Sequence, residues 1–102
     1  MSVTGVTIDE YGSAQILCNV KNSTGKTIKV YANEVTLNGY MMSDSMLGTV
    51  APKSQINGGI ECYESYLKKN KIKNIKSAGF ILQITNSNYK TLAESNRIKV
   101  KF

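Results

Sequence analysis

Lys68, Lys69, Lys71, Lys73 and Lys76 fall within nine residues with no acid between them, and Arg97, Lys99 and Lys101 alternate along the last segment. Side chains of this type at this spacing do the chemistry of anion contact, because ammonium groups attract phosphate and carboxylate without reading their detail. These two runs hold most of the excess of 13 Lys plus Arg over 7 Asp plus Glu, a formal charge of +6. Nucleic acid, anionic lipid headgroups and an acidic wall polymer all suit that charge. Each run also has a plain structural explanation. Lysines at a helix C-terminus offset the negative end of its dipole, and lysines on an outer strand discourage edge-to-edge pairing. No aromatic or amide side chains accompany Lys68, Lys69, Lys71 and Lys73 to read bases, so sequence-specific nucleic-acid contact is not expected.

Other chemistries find less support. The chain has no His, which removes the Ser/His/Asp and Cys/His arrangements and the commonest zinc ligand. Asp9, Glu10, Glu34, Asp44, Glu61, Glu64 and Glu94 are scattered, and no spacing among them gives a calcium loop or a carboxylate pair for glycoside hydrolysis. Asp44, between two serines, reads as a side-chain-capped turn rather than a calcium ligand. The glycines show no phosphate-binding spacing ahead of a Lys-Ser/Thr step. No enzyme, cofactor or metal is expected. Asn22-Ser23-Thr24 fits a glycosylation sequon but reads as a turn. Among six tyrosines, Tyr31 beside Lys29 is the surface candidate for stacking, the others lying near turns or at the core edge.

The two cysteines, Cys18 and Cys62, are each in phase with apolar neighbours and should point inward. If their strands face each other across a sandwich, a disulfide closing a loop of about 45 residues adds roughly 3 to 4 kcal/mol. Two free thiols acting as small hydrophobes are favoured, because two cysteines do not make a disulfide framework.

The elements that position these groups are read from punctuation and period. Turn signals fall at Tyr11-Gly12-Ser13, Asn22-Ser23-Thr24-Gly25, Asn38-Gly39, Ala51-Pro52-Lys53 and Asn86-Ser87-Asn88. Between them Val6 and Ile8, then Ile16, Cys18 and Val20, then Ile28 and Val30, then Val35 and Leu37 alternate with polar or small residues, which predicts strands with one buried face. Asn38-Gly39 predicts a two-residue type I′ hairpin. Gln55 to Cys62 reads as a strand in which Gly58-Gly59 marks a bulge or a close backbone approach. Tyr63 to Asn70 changes to helical spacing, with Tyr63, Tyr66 and Leu67 on one face. Asn70 is expected to close the helix in the left-handed conformation, and Ile72 and Ile75 to pin the exit segment. Phe80, Leu82 and Ile84, and finally Ile98, Val100 and Phe102, resume the strand pattern.

One domain is expected, over residues 1–102. The fold class is all-β: an immunoglobulin-like antiparallel β-sandwich of about seven strands with Greek-key connections and one short helix around residues 63–70, a barrel being the alternative. The longest apolar stretch, Ala78 to Leu82, falls far short of the roughly 18 residues of a membrane span. The start, Met1-Ser2-Val3-Thr4, lacks the basic and apolar regions of a signal peptide; a mature fragment or excised domain would look the same. A monomer is expected.

Val35-Thr36-Leu37-Asn38-Gly39-Tyr40-Met41, Val50-Ala51-Pro52 and the Phe80-containing strand follow Asn22-Ser23 and Lys26-Thr27-Ile28 in an order that resembles a known module. It is the immunoglobulin-like β-sandwich of predicted surface lipoproteins in Gram-positive, clostridial-type bacteria. The likeness runs from Asn19 to Ile84, and its motifs are turns and core positions. The chain departs from it in its strong basicity and in Lys71, where a Gly is expected after the helix. The resemblance implies an extracellular or cell-envelope location and a structural or adhesive role toward a protein or cell-wall polymer. A polyanion or nucleic-acid binding module using Lys68 to Lys76 is the alternative function.

Overall fold

The computed structural model describes Met1–Phe102. Nine strands and one helix follow in the order β1 (Ser2–Ile8), β2 (Ala14–Asn22), β3 (Ile28–Leu37), β4 (Tyr40–Met41), β5 (Ser45–Val50), β6 (Ser54–Cys62), α1 (Glu64–Lys69), β7 (Ser77–Thr85), β8 (Thr91–Glu94) and β9 (Ile98–Lys101). One sheet runs β1-β2-β6. The other runs β4-β3-β7-β8, with β5 also on β3 and β9 also on β7. All pairings are antiparallel. The chain changes sheet at β2–β3, β5–β6 and β6–β7. This leaves β6 beside β2 in one sheet and β7 beside β3 in the other, as the expected Greek-key sandwich requires.

Parity builds the core. Ala14, Ile16, Cys18 and Val20 of β2 and Ile60 and Cys62 of β6 face Val30, Ala32, Val35 and Leu37 of β3 and Phe80 and Leu82 of β7, all buried. Ile84 of β7 and Ile98 and Val100 of β9 are half-buried and pack against that cluster. In β1 a bulge between Val3 and Gly5 shifts the register, so Val3 takes a core contact. Val6 and Ile8, expected in the core, are half-buried and 55% exposed respectively. Ile28 and Val30 belong to the same strand as Val35 and Leu37. A second bulge, at Asn33–Glu34, restores the phase between them and holds Glu34 at φ +49°. β6 pairs with β2 without interruption, so Gly58 is a close approach and not a bulge: a Cβ there would lie 2.8 Å from the Leu47 carbonyl oxygen of β5.

The type I′ turn forms as expected, with Asn38 at φ +50° and Gly39 at φ +84°. Helix α1 is capped from a distance, since the Glu64 N–H donates to Ser13 Oγ at 3.1 Å, and Tyr63 at its start is exposed. At its end the Ile72 N–H reaches the Leu67 carbonyl at 2.9 Å and the Lys71 N–H the Lys68 carbonyl at 3.1 Å, a Schellman motif. The left-handed residue is Lys71, at φ +55°; Asn70, expected in that role, has φ −98° and donates its amide to the Tyr66 carbonyl. A β-carbon at Lys71 therefore costs energy that glycine would avoid. Lys71→Gly is expected to stabilise the fold by about 0.5 to 1 kcal/mol, a rise of about 2 to 8 °C in Tm. An unchanged or lower Tm in thermal melts would contradict the assignment of this cap.

Candidate anion-binding surface

The hairpin turn organises the first lysine run. Asn38 Nδ2 donates to the Asn74 carbonyl at 2.7 Å, and Asn38 Oδ1 accepts the N–H groups of Lys76 and Ser77 at 2.8 and 3.1 Å. The Asn38 N–H donates to the Ser77 carbonyl at 2.9 Å. The segment leaving α1 is thus stapled to the β3–β4 turn, and between them lies a shallow depression of about 650 Å³ with Tyr40, Lys71, Lys73, Asn74 and Lys76 on its walls. Tyr40 is 49% exposed there. An aromatic ring and an amide do accompany these lysines, contrary to the reading of the run alone, because the hairpin supplies the ring.

The second basic run arrives beside the first. In β9, Lys101 pairs with Ser77 and Lys99 with Gly79, and the Phe102 N–H donates to the Lys76 carbonyl at 2.9 Å. Not every member of the two runs faces an anion. Lys68 is ion-paired with Glu64 one turn earlier on α1, a surface pair of small energetic weight. Arg97 crosses β7 to donate to the Glu34 carbonyl at 2.9 Å and to Thr36 Oγ1 at 2.8 Å. Gly79 makes that path open, since a Cβ there would stand 2.9 Å from the guanidinium. The Glu34 N–H donates to Asp44 Oδ1 at 3.0 Å. Arg97 and Asp44 together satisfy the backbone of the left-handed bulge residue, which gives Arg97 a structural role beside its exposed position and replaces the local turn assignment of Asp44. Lys69, Lys71, Lys73, Lys76, Lys99 and Lys101 remain as exposed cations at this end.

The basic excess is not confined to these runs. Lys21, Lys26 and Lys53 gather with Lys29 and Lys90 at the opposite end of the strands, where Lys53 Nζ donates to the Ser23 carbonyl and Lys29 pairs with Thr85. There Lys29 Nζ stands 3.8 Å from the centre of the Tyr89 ring, a cation–π contact. Tyr89 is therefore the aromatic neighbour of Lys29; Tyr31 is half-buried. The acids do not gather, and no three His, Cys, Asp or Glu side chains form a metal-binding group.

Cys18 and Cys62 are free and buried. They lie on adjacent strands of one sheet, with Cys18 opposite Gly58 and Cys62 opposite Ala14. Four residue pairs, about 13 Å along the strands, separate them, so the conditional disulfide is geometrically closed off. Cys18 Sγ donates to the Ile16 carbonyl at 3.7 Å. Burial pushes both thiols up to about 11, helped at Cys62 by the Glu61 charge and opposed at Cys18 by the N-terminus. Asn22, the first residue of the sequon, is 1% exposed. Its amide is committed to three backbone carbonyls and is closed to glycosylation.

No protein-family model matches the chain, and none of the curated proteins matches it. Among solved structures, a crystal structure of a protein from Archaeoglobus fulgidus aligns over 99% of this chain and 98% of its own, with 15% sequence identity and a TM-score of 0.44.

Proposed function

We propose that the chain is a non-catalytic interaction module of the cell envelope, structural or adhesive in role, that holds an anionic polymer against its α1 end. One observation carries this: the Asn38 staple and the β7–β9 pairing bring two lysine runs, distant in sequence, onto two adjoining depressions that share Ser77, the first lined by Lys71, Lys73 and Lys76 and the second by Lys99 and Lys101. Side chains of this kind bind by charge density and form no reaction centre, which suits retention of a polymer rather than its cleavage. The likeness to envelope modules at the Asn38-Gly39 hairpin supports the location. Tyr40 at the wall of the first depression favours single-stranded nucleic acid as the second reading, since an exposed ring stacks on any base.

Retention on immobilised heparin and on polyphosphate, followed against salt, tests the proposal. The variant Lys71→Gln/Lys73→Gln/Lys76→Gln/Lys101→Gln is expected to elute at markedly lower salt, each lost contact removing about 0.7 to 0.9 from the log–log salt slope. Its Tm is expected to stay within a few degrees, because exposed charges contribute little to stability. Unchanged retention in the variant would remove the α1 end as the site. Submicromolar, sequence-selective binding of one oligonucleotide at physiological salt would establish the second reading instead.

A further inference from the structure

We propose that the end of the sandwich opposite α1 docks onto a bilayer surface carrying anionic phospholipids. A groove of about 360 Å³ opens there between the two sheets, with Ile28, Ile84, Leu92 and Ala93 as its apolar lining and Lys21 and Lys26 at its margin. Leu92 has no partner in the fold: Ala93 pairs with Ile84 and Thr91 with Thr85, so Leu92 is the extra residue of a bulge on an edge strand, 55% exposed. Tyr89, in the adjoining turn, is 68% exposed. An apolar residue expelled from the ladder beside an open apolar groove is unexplained by the packing of this chain alone.

Charge identifies the counter-surface. Lys21 and Lys26 line the groove and no Asp or Glu does; Lys53 reaches the Ser23 carbonyl at its rim, Lys29 lies over the Tyr89 ring, and Lys90 follows Tyr89 in the β7–β8 turn. Cations gathered at the same end as an exposed apolar centre match a flat anionic plane, in which Leu92 and Tyr89 reach the headgroup boundary while the lysines meet lipid phosphates. An acidic peptide lying along β8 would call for a linear row of lysines on that strand, and β8, Thr91–Glu94, has none. The inference is separate from the polymer site at the α1 end and uses none of its residues.

The chain has no Trp, so Leu92→Trp places a single reporter at the proposed point of insertion. With phosphatidylcholine vesicles containing phosphatidylglycerol its emission is expected to shift to the blue, and with phosphatidylcholine alone to stay unchanged. Added salt should reverse the shift. In vesicle sedimentation Lys21→Gln/Lys26→Gln/Lys90→Gln is expected to weaken binding roughly a hundredfold, and Leu92→Ser about five- to tenfold. Lys71→Gln/Lys73→Gln/Lys76→Gln should leave it within about twofold. The proposal is overturned by an unshifted reporter, by equal binding to both vesicle types, or by a loss confined to the α1-end variant. A shift with polyglutamate and none with anionic vesicles would overturn it too, and would assign the groove to an acidic protein.

Discussion

Asn22→Ala is expected to destabilise the protein by about 3 kcal/mol, lowering Tm by roughly 12 to 24 °C. Asn22 is one of two buried polar side chains, and it joins three segments. Its Nδ2 lies 2.7, 3.1 and 3.2 Å from the carbonyl oxygens of Lys26, Val50 and Ala51, two hydrogens shared over three acceptors. Its Oδ1 accepts the Thr24 N–H at 3.0 Å and the Thr24 hydroxyl at 2.7 Å. Alanine would leave the buried Val50 carbonyl at the end of β5 without its side-chain donor and unpin the β2–β3 turn, and a desolvated group left unpaired costs more than the bond itself contributed. Asn22→Asp keeps the shape and reverses part of the polarity. A carboxylate facing three carbonyl oxygens is disfavoured, so the folded-state pKa of this Asp should rise above the unfolded value of about 3.9. The variant would then be closest to the parent below pH 4 and lose stability as pH rises through its folded pKa. Thermal melts of both proteins at pH 4 and pH 7 check this. A gap that narrows toward pH 7 would show that the amide hydrogens are not what the site requires.

Where alternation is unbroken the fold is legible in the residues. Ile16-Leu17-Cys18-Asn19-Val20 and the Phe80 strand declare their inner faces, and Asn38-Gly39 declares its turn. The missed elements are those in which a bulge breaks the period. In β5 the inward residues Leu47 and Val50 are three apart, because Leu47 is the extra residue between the pairs Val30–Gly48 and Tyr31–Met46. β8 has no buried residue at all, so its sequence carries no alternation to read. The bulge at Glu34 divides β3 into two apparent strands. The candidate site was half legible. A lysine run is visible as a run, but Asn38 looks the same whether its amide faces water or staples Asn74 and Lys76. The opposite basic end left no mark, since the Lys21–Lys26 turn, Lys53 and Lys90 stand far apart in the chain and only the turns at the strand ends assemble them. The backbone role of Arg97 was hidden for a related reason: its partners on β3 lie two strands away from β9, and Gly79 between them signals a crossing only once the strand order is known.

The thiols should make stability fall steeply in alkaline solution. Cys18 and Cys62 are 1% and 0% exposed, and burial holds both protonated up to about pH 11, where the unfolded chain would release its thiol protons near 9.0. Below pH 9 neither state has ionised and the full stability is present. Above it the unfolded state gains by ionising while the folded state does not, and the loss continues until pH passes the folded value. One unit above the unfolded pKa the difference is about 1.4 kcal/mol per thiol, so near pH 10 the pair should cost the fold about 3 kcal/mol. Cys18→Ala/Cys62→Ala loses packing at every pH but lacks this term, and the stability gap between the two proteins should narrow by that amount between pH 8 and pH 10. Lysine deprotonation in the same range affects both proteins alike and drops out of the comparison. Native protein at pH 8 is expected to resist a thiol reagent, because the reactive form is the thiolate and neither sulfur is accessible. After unfolding without reductant both cysteines should be alkylated. A gap that stays constant across the pH range, or rapid native labelling, would mean that one strand of the β2–β6 pair opens to solvent and that the inner face of this sheet is not closed.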